Sequence, residues 1–236
     1  MIRAIIFDFA QTLVDASHGF RLAEKEAERQ IFSHLKLPSW DDFLADYREI
    51  RKDFHTRSEF SRASIWRAVY DQYGVSVGSD LLNAWEDAYW ETVRRETTLF
   101  PETAYVLTEL FSKYQLAVIT NTQGRGGAKG HRLWAMPDLE RFFQVIIVAG
   151  EGRMPPKPHP KPFTKCSEML NISLSHAVYV GDDWKIDICG AEAAGIQPIW
   201  IQHATVKRSW PSVETSVPII TSLSPLLDLE AILGLS

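Results

Sequence analysis

Residues 4–12 read AIIFDFAQT, a short apolar run that ends at Asp8. A run of this kind, rich in β-branched residues, is typical of a buried strand in a parallel sheet, because such a strand is covered on both faces. Asp8 would then follow the carboxyl end of the strand. Open α/β sheets bind their ligands at that edge, so Asp8 is a candidate functional residue.

Five further runs downstream share this apolar and β-branched character. They are residues 116–119, 145–148, 177–180, 198–201 and, more weakly, 218–220. Helical patterns separate them: one begins at Pro101, one spans residues 161–170, and one spans residues 186–194 and stops at Gly195, a residue type common just past helix ends. This alternation predicts an α/β fold, a doubly wound parallel sheet with right-handed crossovers.

The residues between the first two strands contain no run of this kind. Four segments there place apolar residues three and four positions apart, which is the spacing of one helix face. These segments begin near Phe20, Trp40, Ile65 and Leu81. We therefore predict a helical bundle inserted at about residues 16–95, with residues 1–15 and 96–236 forming the sheet domain.

Composition and charge limit the classes of protein that the chain can represent. Hydrophobic residues make up 45% and charged residues 23%, which is ordinary for a globular protein. A formal net charge of −5 provides no basic field for nucleic acid. No apolar stretch approaches the roughly 18 residues of a membrane span, and the N-terminal run is too short for a signal peptide. We expect a cytoplasmic protein that acts on a small molecule as a monomer or homodimer.

Three other features have ordinary structural explanations. Cys166 and Cys189 do not form a CxxC pair, so we interpret them as reduced thiols. The glycine-rich residues 124–130 lack the order of known phosphate-binding loops and are interpreted as a flexible loop. His131, His176 and His203 do not have the spacing of a metal site.

Polar side chains follow the first four predicted strands at the points where they end. After Asp8 along the chain, these residues are Thr120, Asn121, Lys157, Asp182, Asp183 and Asp187. Clustered carboxylates can hold Mg²⁺, a lysine can neutralise a phosphoryl group, and one carboxylate can act as a covalent nucleophile. Each residue alone also has a structural explanation, such as an aspartate that caps a helix. Their combination at one sheet edge is what indicates phosphoryl chemistry.

The order of these motifs resembles that of the haloacid-dehalogenase-like hydrolases. The family's DxDx[TV] motif stands here as residues 8–12, and its later motifs match Thr120, the Lys-Pro-His-Pro of residues 157–160, and Gly181-Asp182 with Asp187. The resemblance covers residues 1–15 and about 99–201. It implies a Rossmann-like core with an inserted helical cap, a Mg²⁺ cofactor and a small phosphorylated substrate.

The resemblance also implies how a magnesium ion would be bound. Asp8, Asp182 and the backbone carbonyl of Ala10 would be its ligands, and Asp183 and Asp187 would orient metal-bound water. Each of these groups offers oxygen, the ligand atom that Mg²⁺ prefers.

For the phosphoryl group, the resemblance implies a second set of roles. Asp8 would be the nucleophile that forms an aspartyl-phosphate. Thr120 and the backbone N–H of Asn121 would bind phosphoryl oxygens. Lys157 would also bind the group and offset its charge, so Asp8, Thr120 and Lys157 are the implied catalytic residues.

The motif departs from that of the family's phosphatases two residues after the nucleophile. They carry an aspartate that protonates the leaving group and then activates water, whereas this chain has Ala10. Because general acid–base catalysis is typically worth about 10²–10⁴ in rate, we expect a slowed or specialised enzyme. Gln11 stands where the family usually has glycine, which we interpret as a backbone without positive φ.

Three interpretations therefore remain open. A phosphohydrolase could act on good leaving groups or use another acid, for which His18 and Gln11 are candidates. The phosphonatase branch of the family also has alanine at this position and uses a cap lysine, for which Lys52 is a candidate. A pseudoenzyme would bind a phosphate ligand without efficient turnover. We favour the phosphohydrolase, because a binding module has less need for the full set of nucleophile, lysine and acidic pair.

Overall fold

The computed structural model describes residues 1–122, Leu133 and residues 136–234. The interpretations of residues 124–130 and His131 therefore concern residues outside the described part of the chain. The described residues form two compact units. We call residues 1–17, 98–122 and the described part of 126–236 the α/β unit, and residues 18–97 the helical unit.

The α/β unit contains eight short strands among its described residues. In chain order they are β1 (Ala4–Phe7), β2 (Val14–Asp15), β3 (Thr98–Leu99), β4 (Gln115–Asn121), β5 (Val145–Ala149), β6 (Ala177–Gly181), β7 (Gln197–Ile201) and β8 (Ile219–Ile220). Six of them form one sheet in the order β5-β4-β1-β6-β7-β8, and each neighbouring pair is parallel. The predicted parallel sheet is confirmed, including its weak sixth strand. β2 and β3 pair separately as an antiparallel ribbon.

Nine helices lie in the described residues of the two units. They are α1 (Ser17–Leu35), α2 (Trp40–Thr56), α3 (Arg62–Gln72), α4 (Ser79–Arg95), α5 (Thr103–Phe111), α6 (Pro137–Glu140), α7 (Lys161–Leu170), α8 (Cys189–Ala194) and α9 (Leu229–Leu233). α7 has the predicted bounds. The helix predicted at residues 186–194 is instead a π-helical turn, Trp184–Ile188, followed by α8, and it ends at Gly195 with φ +82°. No helix among the described residues has the length and apolarity needed to cross a membrane.

The sheet is covered on both faces, which is why its strands read as continuous apolar runs. Along β1, Ile5 and Phe7 pack into one apolar cluster, and Ala4 and Ile6 pack into another. Each fully buried Ile or Phe contributes about 1.5–3 kcal/mol relative to an exposed one. Because β1 is packed on both faces, it holds Asp8, the residue that follows it, in a fixed position.

The helical unit packs the apolar faces of its four helices together. The cluster includes Ile31 of α1, Phe43 of α2, Val69 of α3 and Val93 of α4, all of them fully buried. The four predicted helical patterns are thus confirmed as helices. Ser39 caps α2 by accepting a hydrogen bond from the backbone N–H of Asp42.

Candidate active site

Asp8 lies where β1 ends, between the two strands that pair with β1. Its backbone N–H donates to the carbonyl of Val180 in β6 at 2.8 Å. Its buried carboxylate accepts a hydrogen bond from Lys157 Nζ at 2.7 Å. The residue after the first strand is therefore held by backbone pairing on one side and by a buried ammonium group on the other.

Lys157 connects three groups of the site. Its side chain is only 1% exposed, and Nζ donates to Asp8 Oδ1 at 2.7 Å, Asp187 Oδ1 at 2.7 Å and Tyr179 Oη at 2.8 Å. Burial alone would lower the pKa of Lys157, but the carboxylates of Asp187 and Asp8 outweigh it and hold the pKa above its usual range. Lys157 is therefore an ammonium ion whose three N–H groups all have acceptors.

The side chain of Asn121 holds the backbone of Lys157. Its Oδ1 accepts from the backbone N–H of Lys157 at 2.8 Å, and its Nδ2 donates to the carbonyl of Lys157 at 3.3 Å. Thr120 is buried beside it at the end of β4, and its hydroxyl donates a long hydrogen bond of 3.5 Å to the carbonyl of Asn121. Because β4 pairs with β1, both residues share the sheet edge of Asp8.

Three buried carboxylates meet beside the lysine. Asp8, Asp182 and Asp187 each offer one oxygen, and these oxygens lie within 4.8 Å of one another. Burial raises the pKa of Asp8 to about 6 although Lys157 opposes the shift. Burial, together with the negative charges of Asp187 and Asp8, also raises the pKa of Asp182 well above its usual range. The cluster therefore concentrates negative charge that a cation would stabilise.

The carboxylate oxygens of this cluster are ligands that suit a hard divalent cation. The carboxylates differ in how many of their oxygens already accept hydrogen bonds. Asp187 Oδ1 accepts from Lys157 and Tyr179, and its Oδ2 accepts from the backbone N–H of Asp183 at 3.0 Å. Asp183 Oδ1 caps the π-helical turn by accepting from two backbone N–H groups. Asp8 and Asp182 are therefore better able to coordinate a metal than Asp187 and Asp183.

Gly181 allows Asp187 to approach the end of β6. A Cβ atom at position 181 would lie 2.5 Å from Asp187 Cβ and 2.6 Å from its Cγ, which is closer than real atoms approach. A glycine at position 181 is therefore required, because any side chain there would collide with Asp187. The glycine that begins the GD-x-x-x-x-D motif and the aspartate that ends it are thus linked by direct packing of Asp187 against Gly181.

Two members of the site could not be identified from sequence. Tyr179 lies inside the apolar run of β6, where an aromatic residue signals only a core position. Arg208 lies in a segment without hydrophobic periodicity, and its Nη1 forms an ion pair with Asp182 Oδ2. Its guanidinium group also lies 4.5 Å from the ring centre of Trp210. Arg208 therefore supplies a second positive charge to the acidic cluster.

The turn after Asp8 corrects one expectation. Gln11 has φ +61°, so the interpretation of its backbone as free of positive φ was wrong. A left-handed residue with a side chain costs roughly 1–2 kcal/mol. Two hydrogen bonds support the turn: the N–H of Gln11 donates to the carbonyl of Val14 at 2.7 Å, and its Oε1 accepts from Ala16 N at 3.3 Å. Ala10 forms a bridge with Val14 at the same turn.

The structure also shows the contacts or exposure of three other residues named in the sequence analysis, which are His203, Lys52 and His18. His203 is buried, stacks on Phe100 with ring centres 3.5 Å apart, and places Nε2 3.0 Å from the carbonyl of Thr12, which indicates a structural role. In the helical unit, Lys52 of α2 is exposed. His18 of α1 is also exposed and lies 3.7 Å from Glu96.

The chain belongs to the haloacid dehalogenase-like hydrolases, whose family model matches residues 5–201. It is 26% identical to glyceraldehyde 3-phosphate phosphatase from Pyrococcus abyssi (strain GE5 / Orsay) over 208 residues, which cover 86% of this chain and 82% of the relative. The resemblance inferred from the motifs is confirmed.

Two solved structures have the same fold. The 2-haloacid dehalogenase from Pseudomonas syringae pv. Tomato DC3000 is 24% identical with a TM-score of 0.67, covering 98% of this chain and 99% of that one. The putative HAD-hydrolase YfnB from Bacillus subtilis, bound to magnesium, is 23% identical with a TM-score of 0.67, covering 97% and 98%. Because this fold serves both dehalogenases and other hydrolases of the family, the reaction must be argued from the site.

Proposed function

We propose that the protein is a Mg²⁺-dependent phosphohydrolase that attacks a small phosphorylated metabolite with the carboxylate of Asp8. The observation that carries this proposal is the buried group in which Lys157 bridges Asp8 and Asp187 beside Asp182. The similarity to a glyceraldehyde 3-phosphate phosphatase supports a phosphate ester as substrate. We expect the enzyme in the cytoplasm.

The contacts of Asp8 support its role as the nucleophile. The ammonium group of Lys157 favours the ionised carboxylate, which is the form that attacks phosphorus. The same ammonium group can offset negative charge on a phosphoryl group bound next to Asp8. Thr120 and the backbone N–H of Asn121, at the same sheet edge, are the proposed contacts for phosphoryl oxygens. The resulting covalent intermediate would be an aspartyl-phosphate.

The carboxylate cluster supports magnesium as the cofactor. Asp8 and Asp182, with the backbone carbonyl of Ala10, are the proposed ligands. A bound Mg²⁺ ion supplies positive charge that stabilises the phosphoryl group during transfer. Since Lys157, Tyr179 and the N–H of Asp183 engage Asp187, we assign it mainly to positioning the lysine. Asp183 would contact metal-bound water through the oxygen that does not cap the turn.

The side chain of Ala10 is a methyl group, and this limits the leaving groups that a substrate can have. It cannot protonate a leaving group, so the enzyme would favour aryl or acyl phosphates, whose leaving groups need little protonation. A phosphonatase is less well supported, because a Schiff-base lysine is commonly activated by burial and Lys52 is exposed. The acidic cluster also favours a metal-dependent phosphohydrolase over a dehalogenase, which attacks carbon without a metal.

Phosphate release from acetyl phosphate and p-nitrophenyl phosphate, with and without Mg²⁺, tests the proposal. We expect Mg²⁺-dependent release that Asp8→Asn abolishes, and a gain of up to about 10²–10⁴ in Ala10→Asp, whose new carboxylate can activate water against the aspartyl-phosphate. Asp138→Asn, at an exposed position of α6, is the matched control and should behave like the natural chain. Mg²⁺-linked phosphate binding in calorimetry without release from either substrate would instead support the pseudoenzyme.

A further inference from the structure

The segment between β7 and β8 brings Arg208 to the acidic cluster of the α/β unit. Trp200, near the end of β7, contacts both sides of this arrangement. Its indole Nε1 donates to the backbone carbonyl of Asp182 at 2.9 Å, and the centre of its ring lies 6.3 Å from that of Trp210 in the segment. Trp210 packs against the apolar cluster that contains Trp200. The segment is therefore anchored to the strand ends that carry the site.

The guanidinium group of Arg208 makes three contacts. Its Nη1 forms an ion pair with Asp182 Oδ2, and its Nη2 lies 3.7 Å from Asp183 Oδ2. Its carbon lies 4.5 Å from the ring centre of Trp210, within the range of a cation–π contact. The side chain of Arg208 is 33% exposed, whereas that of Asp182 is 7% exposed. Arg208 thus reaches a buried carboxylate from the surface of the protein.

The two cations of the site are divided between its carboxylates. Lys157 Nζ donates to Asp8 and Asp187, and Arg208 pairs with Asp182. Burial and the neighbouring carboxylates raise the pKa of Asp182, and the positive charge of Arg208 opposes them. Arg208 therefore favours the ionised form of Asp182, which is the form that a hard divalent cation binds.

Arg208 and Mg²⁺ would depend on the same carboxylate. Mg²⁺ coordinates carboxylate oxygens directly, and Asp182 Oδ2 already accepts from the guanidinium group. If the metal used Oδ1 instead, two cations would lie on the two oxygens of one carboxylate and would repel each other at short range. With either oxygen as the ligand, metal binding and the ion pair of Arg208 therefore oppose each other.

We propose that Arg208 competes with Mg²⁺ for Asp182 and thereby sets the metal concentration at which the site fills. The inference rests on the proposed function, because it takes Asp182 as a metal ligand. When the metal binds, the guanidinium group leaves Asp182, and its partly exposed side chain turns towards water without disturbing the apolar core. Arg208 is therefore a positioning residue, which keeps Asp182 ionised until the metal replaces it.

Calorimetry of Mg²⁺ alone binding to the full chain tests this competition. A buffer at about pH 8.5 limits competition by protons for the carboxylates. Arg208→Gln removes the guanidinium group, and Lys207→Gln removes an exposed positive charge from the adjacent position as the matched control. We expect Arg208→Gln to lower the Kd of Mg²⁺ about fivefold or more and Lys207→Gln to change it less than about twofold, because exposed charges are screened. Arg208→Lys keeps a charge without the planar fork and should give an intermediate Kd.

Thermal unfolding separates this role from a purely structural one. Without Mg²⁺, Arg208→Gln should lower the Tm by about 2–4 °C, and saturating Mg²⁺ should remove most of that difference, because the metal then neutralises Asp182. An equal Tm difference with and without Mg²⁺ would overturn the inference. Mg²⁺ binding with a Kd that Arg208→Gln leaves unchanged or raises would overturn the inference alone, whereas no Mg²⁺ binding by either protein would overturn the proposed metal site as well.

Discussion

Lys157 of the α/β unit and Arg62 of the helical unit are both buried cations beside carboxylates, but their hydrogen bonding differs. The three N–H groups of Lys157 all reach acceptors at 2.7–2.8 Å. Arg62 has an Nε without a partner among the described residues, and its contact with Glu24 is 3.7 Å long. The first cation is thus fully hydrogen-bonded by its own chain, while the second makes fewer and longer contacts.

The difference follows from how each side chain is supported. Lys157 is fixed at its backbone by Asn121 and at its ammonium group by residues that follow β1 and β6, so sheet packing sets its geometry. Arg62 is held by side chains of neighbouring helices, with its Nη1 at 3.1 Å from His55 Nε2 and its Nη2 at 3.7 Å from Glu24. Breaking the first arrangement should therefore affect stability and catalysis together, and breaking the second should affect stability less.

Replacing Lys157 by methionine should have the largest effect. It leaves the Asp8 and Asp187 carboxylates buried without their cation, and removing one partner of a buried ion pair typically costs about 3–5 kcal/mol. Urea unfolding should show a loss of that size in the free energy of unfolding, and phosphate release should fall below detection. Lys165→Met, at an exposed position of α7, is the control and should change stability by no more than about 0.5 kcal/mol. An unchanged unfolding midpoint for Lys157→Met would mean that the pair is not formed.

The steric fit at Gly181 offers a milder way to disturb the same arrangement. In Gly181→Ala the new methyl group would collide with Asp187 and displace it from Lys157. Overpacking of this kind typically costs about 1–3 kcal/mol, and we expect phosphate release to fall at least tenfold. Gly78→Ala, where a Cβ meets nothing within 4 Å, is the matched control for denaturant unfolding and activity. Full activity in Gly181→Ala would show that Asp187 does not position the lysine.

In the helical unit, Glu24→Gln should give a smaller loss that depends on pH. Burial opposes ionisation of Glu24, but Arg62 and Arg51 outweigh it and lower the pKa below its ordinary value of 4.5. The stabilisation by Glu24 is therefore fully present above pH 4.5 and is lost as the pH falls through the lowered pKa. At neutral pH we expect Glu24→Gln to cost about 1–3 kcal/mol, because charged hydrogen bonds are lost.

Unfolding measured from pH 7 down to pH 3.5 checks this linkage. The difference in the free energy of unfolding between the natural chain and Glu24→Gln should shrink below pH 4.5. Glu26→Gln, at an exposed position of the same helix, should show no such change. A difference that stays constant across this range would mean that ionised Glu24 does not stabilise the unit.

Much of the site could be predicted because its residues follow strands. Asp8, Lys157 and Asp182 come from distant segments, yet parallel strands bring their carboxyl ends to one edge, so position along the chain was informative. The contact of Tyr179 with the site could not be predicted, because an aromatic residue inside a buried strand indicates only a core position. Arg208 could not be predicted either, since it reaches Asp182 from a segment without periodicity.

Backbone detail was less predictable than the fold. Gln11 adopts positive φ because local hydrogen bonds of the turn support it, which residue type alone does not reveal. The π-helical turn at Trp184–Ile188 forms where Asp183 Oδ1 caps two backbone N–H groups and the Asp187 carboxylate accepts from the backbone N–H of Asp183. In the helical unit, the periodic pattern predicted four helices but not the burial of Glu24 and Arg62, because these residues look like ordinary surface charges in sequence.

The central claim, that Asp8 is a nucleophile assisted by Lys157, is tested most directly by trapping the intermediate. The natural chain is mixed with acetyl phosphate and Mg²⁺, quenched in acid within seconds and analysed by peptide mass spectrometry. We expect phosphorylated Asp8, in larger amount than in Ala10→Asp, because the natural chain lacks the carboxylate that would activate water against the aspartyl-phosphate. Phosphate release without phosphorylated Asp8 at any quench time, or equal release by Asp8→Asn, would contradict the account.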